Sequence, residues 1–322
     1  DAVVGGCDNT CGSTAVEEVA LTLANGIFYA EEAVKSGLEI DDFAPRMSFF
    51  FGCHNDFFEE ISKFRAARKL WYELINERFE PKNPKSSQLR FHTQTAGVTL
   101  TAQQPMNNTV RVSYQALSAV LGGTQSLHTN SYDEAIGLPT DESVKIALRT
   151  QQIIASETGV ADVVDPMAGS YHVEEMTASI KENARKLIDE IESKGGVLDC
   201  LKLGFQQKMI HDSAWKEIND IEEKKLLVVG VNSNIEDEEE LNLGMKIDST
   251  NEKKQVTKLE KFKLRRDEVA VKETLRKLQN TCEGTENIMP PLIEALKIGA
   301  TVGEVNGVMR EVFGTWVSPS GV

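Results

Sequence analysis

Apolar residues recur every three or four positions through residues 14–36, TAVEEVALTLANGIFYAEEAVKS. That spacing predicts an amphipathic helix, with Thr14 as its N-cap and Gly37 just past its end. The pattern then changes. The apolar run in PRMSFFFG is short and continuous, which predicts a buried strand. Helical spacing returns in NDFFEEISKFRAARKLWYELINERF, and SSQLRFHTQT reads as a strand. NNTVRVSYQALSAVLGG reads as a helix closed by paired glycines, TQSLHTN as a third strand, and TDESVKIALRTQQIIASETG as a helix capped by Thr140. Strands alternating with helices long enough to cross over require parallel pairing and right-handed connections. Three to five such βα units fall before residue 172. That is too few to close an eight-stranded barrel and suits the second half of one.

Beyond residue 172 the pattern is mainly helical. Charged amphipathic helices are expected over 173–195 and roughly 204–223, and a short strand near 226–231 in KKLLVVGVN. A polar, acidic linker is expected near 235–255, one long Lys/Glu-rich helix over 252–282, and two further helical segments within 286–314. The expected fold is therefore α/β: the second half of a TIM-type (β/α)8 barrel in residues 1–172, followed by a mainly helical region, 173–322.

Composition narrows the function classes. The 322 residues are 40% hydrophobic and 26% charged, ordinary for a globular chain with a sizeable core. A net charge of −15 argues against a nucleic-acid partner, because phosphate recognition needs a basic surface. The five cysteines are odd in number and scattered, so a reducing, cytoplasmic setting is expected rather than a disulfide framework. Cys7 and Cys11 lack a second Cys/His pair at ligand spacing, so no metal site is expected. No apolar run approaches the ~20 residues of a membrane span. The chain begins at Asp1 and opens almost directly on a helix, which suggests a piece of a longer protein.

Candidate chemistry lies on the strands. In LRFHTQT, alternation puts Arg90, His92 and Gln94 on one face and Leu89, Phe91, Thr93 and Thr95 on the other. Arg46 and Ser48 share a face in PRMSFF, and Thr124, Ser126 and His128 share one in TQSLHTN. Polar groups on one strand could simply satisfy one another. Three strands with the same habit point to a polar ligand within the barrel, since each unpaired buried group costs about 1–3 kcal/mol. Asp133 and Glu134 lie beyond a strand's carboxyl end, where barrels bind ligands. Adjacent carboxylates diverge, so one serving as a hydrogen-bond acceptor is expected rather than paired acid–base chemistry.

FAPRMSFFFGCHNDFFEEISKFRAARKLW, LRFHTQTAGVTLTAQQPMNNTVR, GGTQSLHTNSYDEAIGLPT and VDPMAGSYHVE, with TVGEVNGVMREVFGTW near the end, resemble the large (alpha) subunit of the methylmalonyl-CoA mutase family. The likeness runs through nearly the whole chain from Gly12. It implies a β/α barrel with adenosylcobalamin at one end and an acyl-CoA threaded along the axis. It also implies a radical rearrangement in which the CoA-thioester group migrates to the neighbouring carbon, most simply methylmalonyl-CoA to succinyl-CoA. Isobutyryl-CoA, ethylmalonyl-CoA and 2-hydroxyisobutyryl-CoA mutases share the motifs, and a degenerate, non-catalytic subunit is the other alternative.

By matching motif, the resemblance makes Arg46, Ser48 and Gln125 substrate contacts, with Gln125 near the reacting acyl group. It makes Gln94, Gly97 and Val98 contacts of the corrin ring, and Glu134 with Ala135 the wall beneath it. The cobalt ligand would come from another domain or a small cobalamin-binding subunit. An N-terminal barrel half would be a further partner. A catalytic His of the family falls on Cys7, and the likeness stops abruptly upstream of Gly12. Either the His is lost, or residues 1–11 are a sequencing or frame artefact; the abruptness favours the latter.

Overall fold

A computed structural model of the chain describes residues 3–5, 12–237, 249–317 and 319. Its contacts separate into two compact units, Asp1–Met245 with Pro319–Val322, and Lys246–Ser318.

The first unit opens with β1 (Val3–Gly5) and α1 (Ala15–Lys35). A capping box starts α1: Thr14 Oγ1 accepts from Glu17 N at 3.3 Å, and Glu17 Oε2 accepts from Thr14 N at 2.7 Å. A short α2 (Ile40–Phe43) and a 3-10 turn lead into β2 (Ser48–Cys53). Asp56 caps α3 (Phe57–Phe79), accepting from Glu59 N at 3.1 Å. β3 (Phe91–Thr95), α4 (Asn107–Leu121), β4 (Ser126–His128) and α5 (Asp141–Glu157) follow, with Thr140 capping α5 as expected.

The four strands form one parallel sheet in the order β1-β2-β3-β4. Chain order equal to spatial order, with a helix after each strand, is the arrangement of a β/α barrel. The fold is thus half of such a barrel, followed by a helical region.

The sheet's buried face is aromatic. Phe49 meets Trp71 of α3 edge-on at 4.7 Å, and Phe91 stacks on Phe64 at 5.2 Å. Gly26 of α1 completes this layer: a Cβ there would stand 2.9 Å from Phe49 and 3.0 Å from Trp71.

α6 (Tyr171–Ser193), α7 (Val197–Lys202) and α8 (Phe205–Glu222) complete the first unit's helices. Ile180, Ala184, Ile188 and Ile191 of α6 enter the same core as α1 and α3. Lys181 reaches Glu73 of α3 at 2.8 Å, and Arg185 pairs with Glu77.

The strand expected near 226–231 is not formed. That segment has a single bridge, Val229 to Ser233, and is wound around Asn232. Asn232 Oδ1 accepts from Val228 N at 2.7 Å, and its Nδ2 donates to Ile221 O and Leu226 O at 2.7 and 2.8 Å. A side chain that serves three backbone groups replaces a strand neighbour. Arg111 of α4 pins the segment, donating to Val229 O at 2.8 Å.

In the second unit, the single helix expected over 252–282 is two: α9 (Ser249–Arg265) and α10 (Glu268–Cys282). The break has a cause. Asp267 Oδ1 caps α10 by accepting from Val269 N and Ala270 N, both at 3.0 Å. Arg266, only 4% exposed at its side chain, donates to Gly299 O and to both carboxylate oxygens of Glu304. α11 (Met289–Ile298) and α12 (Val302–Phe313) pack with α10 around Val271, Leu278, Ala295 and Val305. Of the polar linker near 235–255, residues 238–248 lie outside the described residues.

Candidate functional site

Register settles which side chains share the sheet's other face. Phe50 pairs with His92, and His92 with Ser126; Gly52 pairs with Gln94, and Gln94 with His128. Ser48, Phe50, His92 and Gln94 are half-buried, and Ser126 and His128 exposed, whereas Phe49, Phe51, Phe91, Thr93 and Thr95 are buried behind them. The alternation read from the sequence is therefore realised across three strands. His92 Nδ1 lies 2.7 Å from Ser126 Oγ, and its ring rests 5.3 Å from Phe50. Burial, and then the neighbouring His128, push the His92 pKa down, so its imidazole is neutral at neutral pH.

Five expected residues gather at or beyond the carboxyl ends of β3 and β4. Gln94 stands near the end of β3, and Gly97 and Val98 lie in the 3-10 turn that follows. Glu134 and Ala135 sit exposed in the turn beyond β4. Asn130 joins the two groups. Its Oδ1 accepts from Gln94 Nε2 at 2.9 Å, and its backbone N–H is held by Thr95 Oγ1 at 2.9 Å. A Cβ on Gly97 would come within 3.0 Å of Asn130 Nδ2 and 3.5 Å of Glu134 Cγ.

Asn130 is 2% exposed, yet its Nδ2 has no hydrogen-bond partner among the described residues. An orphaned buried donor beside a glycine cradle, with Val98 58% exposed next to it, suits a flat group bearing amide acceptors. The residues present fit a corrinoid.

Asp133 is fully buried, and its Oδ2 accepts from Thr140 N at 3.2 Å. Its carbonyl accepts from Ile136 N and Gly137 N at 2.9 and 3.1 Å, so Asp133 shapes the turn that presents Glu134. This is the acceptor role expected of one member of the pair.

The other three expected residues lie at the amino ends of the strands. Arg46 is exposed at the end of the 3-10 turn before β2, and Ser48 is that strand's first residue. Gln125 directly precedes β4. Its Oε1 accepts from Phe91 N at 2.7 Å and its Nε2 donates to Gly123 O at 2.8 Å. The structure thus places Gln125 at the same end as Arg46 and Ser48, away from the carboxyl-end cluster. Cys7 and Cys11 lie outside the described residues.

Asn130 belongs to no motif of its own in the sequence; its one signal there is its place between TQSLHT and SYDEA. A charge cluster buried behind β2 has no sequence signal. Lys63 Nζ lies 2.6 Å from Glu18 Oε2, 2.6 Å from Glu60 Oε2 and 3.0 Å from Gly52 O. Glu18 Oε1 accepts from Gly52 N at 2.7 Å. Burial pushes the Glu60 carboxyl up, and it pushes the adjacent Cys53 thiol well up. Three charged residues inside amphipathic helices read as solvated, because periodicity alone does not locate a partner across the core.

Among the described residues no helix is long and apolar enough to cross a membrane, and no group of His, Cys, Asp and Glu could hold a metal ion. The family model described as methylmalonyl-CoA mutase matches residues 2–315. A 2-hydroxyisobutanoyl-CoA mutase large subunit from Aquincola tertiaricarbonis is 44% identical over 307 residues, covering 95% of this chain and 55% of the relative. The methylmalonyl-CoA mutase of Escherichia coli K12 is 42% identical over 310 residues, covering 96% and 43%. The human mitochondrial methylmalonyl-CoA mutase is 43% identical over 305 residues, covering 94% and 41%. The chain spans about half the length of the curated relatives it matches.

Proposed function

Because the chain belongs to the methylmalonyl-CoA mutase family, we propose that it supplies half the barrel of an adenosylcobalamin-dependent acyl-CoA mutase. Such an enzyme is an isomerase, and the default reaction is (R)-methylmalonyl-CoA to succinyl-CoA. The observation that carries the reading is the carboxyl-end cluster, where the orphaned Nδ2 of Asn130 faces the glycine cradle at Gly97.

Each residue takes a definite role. Gln94 and Glu134 offer hydrogen bonds to the peripheral amides of a corrin ring, and Asn130 Nδ2 offers one more. Gly97, Val98 and Ala135 let the macrocycle approach closely. At the opposite end, the Arg46 guanidinium suits the phosphates of coenzyme A, and Ser48 and Gln125 suit its amides. His92, Ser126 and His128 line the face between the two ends with hydrogen-bonding groups. The chemistry that adenosylcobalamin supplies when bound is radical initiation by cobalt–carbon homolysis. The chain's own residues hold and orient the two ligands and exclude water from them.

The partners implied are an acyl-CoA, a small cobalamin-binding subunit and a complementary barrel half, in a cytoplasmic setting. The Aquincola relative's printed name supports 2-hydroxyisobutanoyl-CoA as an alternative substrate and a second subunit as partner. Turnover of the assembled complex, assayed with methylmalonyl-, isobutyryl-, ethylmalonyl- and 2-hydroxyisobutyryl-CoA, tests the reading. Isomerisation of one of them is expected. Tight assembly and adenosylcobalamin binding without turnover of any would favour a non-catalytic subunit.

A further inference from the structure

Gly97 and Val98 contribute little to fixing their own position. One has no side chain, and the other is exposed. The turn that carries them needs an anchor from elsewhere, and α4 provides one. Gln115 is fully buried. Its Nε2 donates to Thr99 Oγ1 at 2.7 Å, within that turn, and to Asn55 Oδ1 at 2.5 Å, in the loop after β2. Thr99 Oγ1 in turn donates to Ala96 O at 2.6 Å, which closes the turn on itself. The Gln115 carbonyl accepts from the Cys53 thiol at 3.1 Å, so one residue ties α4 to two neighbouring strand ends.

Gln115 Oε1 meanwhile has no partner among the described residues. A buried acceptor left unmatched is unfavourable, and an apolar side chain of the same length would avoid it. Retaining the carboxamide is explained by what its two donors hold.

We propose that Gln115 is a positioning residue that sets the height of the Gly97–Val98 turn against the ligand beyond β3. The nature of that ligand rests on the corrinoid reading given above; the anchoring does not.

Gln115→Met keeps length and burial and removes both donors. Amide hydrogen exchange of the full chain reads the anchoring directly. Exchange at Thr99 and Leu100, whose N–H groups bond Ala96 O and Gly97 O, is expected to quicken about tenfold while α4 stays protected. Unchanged exchange at those two amides overturns the proposal. In the assembled complex, adenosylcobalamin titrated by visible absorbance is expected to bind about tenfold more weakly, with coenzyme A affinity unchanged. Equal weakening of both ligands would mean a general loss of structure and would also overturn it. Quickened exchange in a complex whose unaltered form binds no adenosylcobalamin would sink the cofactor reading and leave the anchor standing. Should Gln115→Met fail to fold, Thr99→Val removes one of the two acceptors and is expected to give the same split between ligands.

Discussion

Lys63 and Glu18 form an ion pair of 2.6 Å with side chains 0% and 2% exposed, and Glu60 closes on the same ammonium from the other side. Burial works against the charge on Lys63, but Glu18 and Glu60 outweigh it and raise its pKa. Two carboxylates and one ammonium leave a surplus negative charge in a dry site. Burial is the largest cause that pushes the Glu60 carboxyl up, with Lys63 acting against it. Lys63→Met should therefore strand Glu18 and cost about 3–5 kcal/mol. Glu60→Gln should cost less, because it keeps the side chain's shape and leaves Lys63 paired with Glu18. Urea unfolding of the two variants checks the contrast; equal losses would contradict it.

A second prediction concerns Gly26. Alanine in a helix interior normally gains about 1 kcal/mol over glycine. Here the new methyl would stand 2.9 Å from Phe49 and 3.0 Å from Trp71, both rigid and buried. Gly26→Ala should lower stability by about 1–3 kcal/mol, measured as a drop in the urea midpoint at unchanged slope.

At Gly97 the expected effect is on ligand rather than on fold. A Cβ there would come 3.0 Å from Asn130 Nδ2, a contact that a small shift of the amide can relieve. Gly97→Ala should cost under about 1 kcal/mol of stability. Adenosylcobalamin binding to the assembled complex should weaken several-fold, because the amide is displaced and the cradle filled. Visible titration beside thermal unfolding separates the two effects.

The Arg266–Glu304 clamp predicts a pH dependence in the second unit. Hydrogen bonding to Arg266 holds the Glu304 carboxyl far below its ordinary 4.5. A depressed folded-state pKa means that the unfolded chain binds the proton first. Stability from the clamp is then fully present above about pH 4.5 and is lost as pH falls through the folded-state value. Unfolding followed between pH 6 and pH 2 should show this loss in the unaltered chain, and Glu304→Gln should flatten it.

Much of the fold was legible because local signals agreed. Thr14 and Thr140 are caps in the sequence and in the structure, and the alternation in LRFHTQT places His92 and Gln94 on the open face. What escaped was decided by tertiary contact. The run LLVVGV has strand composition, but Asn232 winds it into a turn and Arg111 holds it there. The long Lys/Glu-rich pattern runs unbroken through Arg266, and only the distant Glu304 and Gly299 show why the helix stops. The five carboxyl-end residues lie 41 positions apart at most, yet what assembles them is Asn130, whose role is visible only once β3 and β4 pair.

The sheet also sets a length scale. Arg46 and Gln125 stand just before the strands begin and Ser48 opens β2, while Gln94, Gly97 and Glu134 stand at or beyond their ends. At about 3.3 Å per residue, five residues of β3 hold the two groups roughly 15 Å apart. The strand is in effect a ruler. A molecule gripped at both ends must be slender and about that long. Inserting two residues in β3 would lengthen the span by about 7 Å and keep every side chain on its own face. Such an insertion would select against a ligand by reach alone, with no contact residue altered.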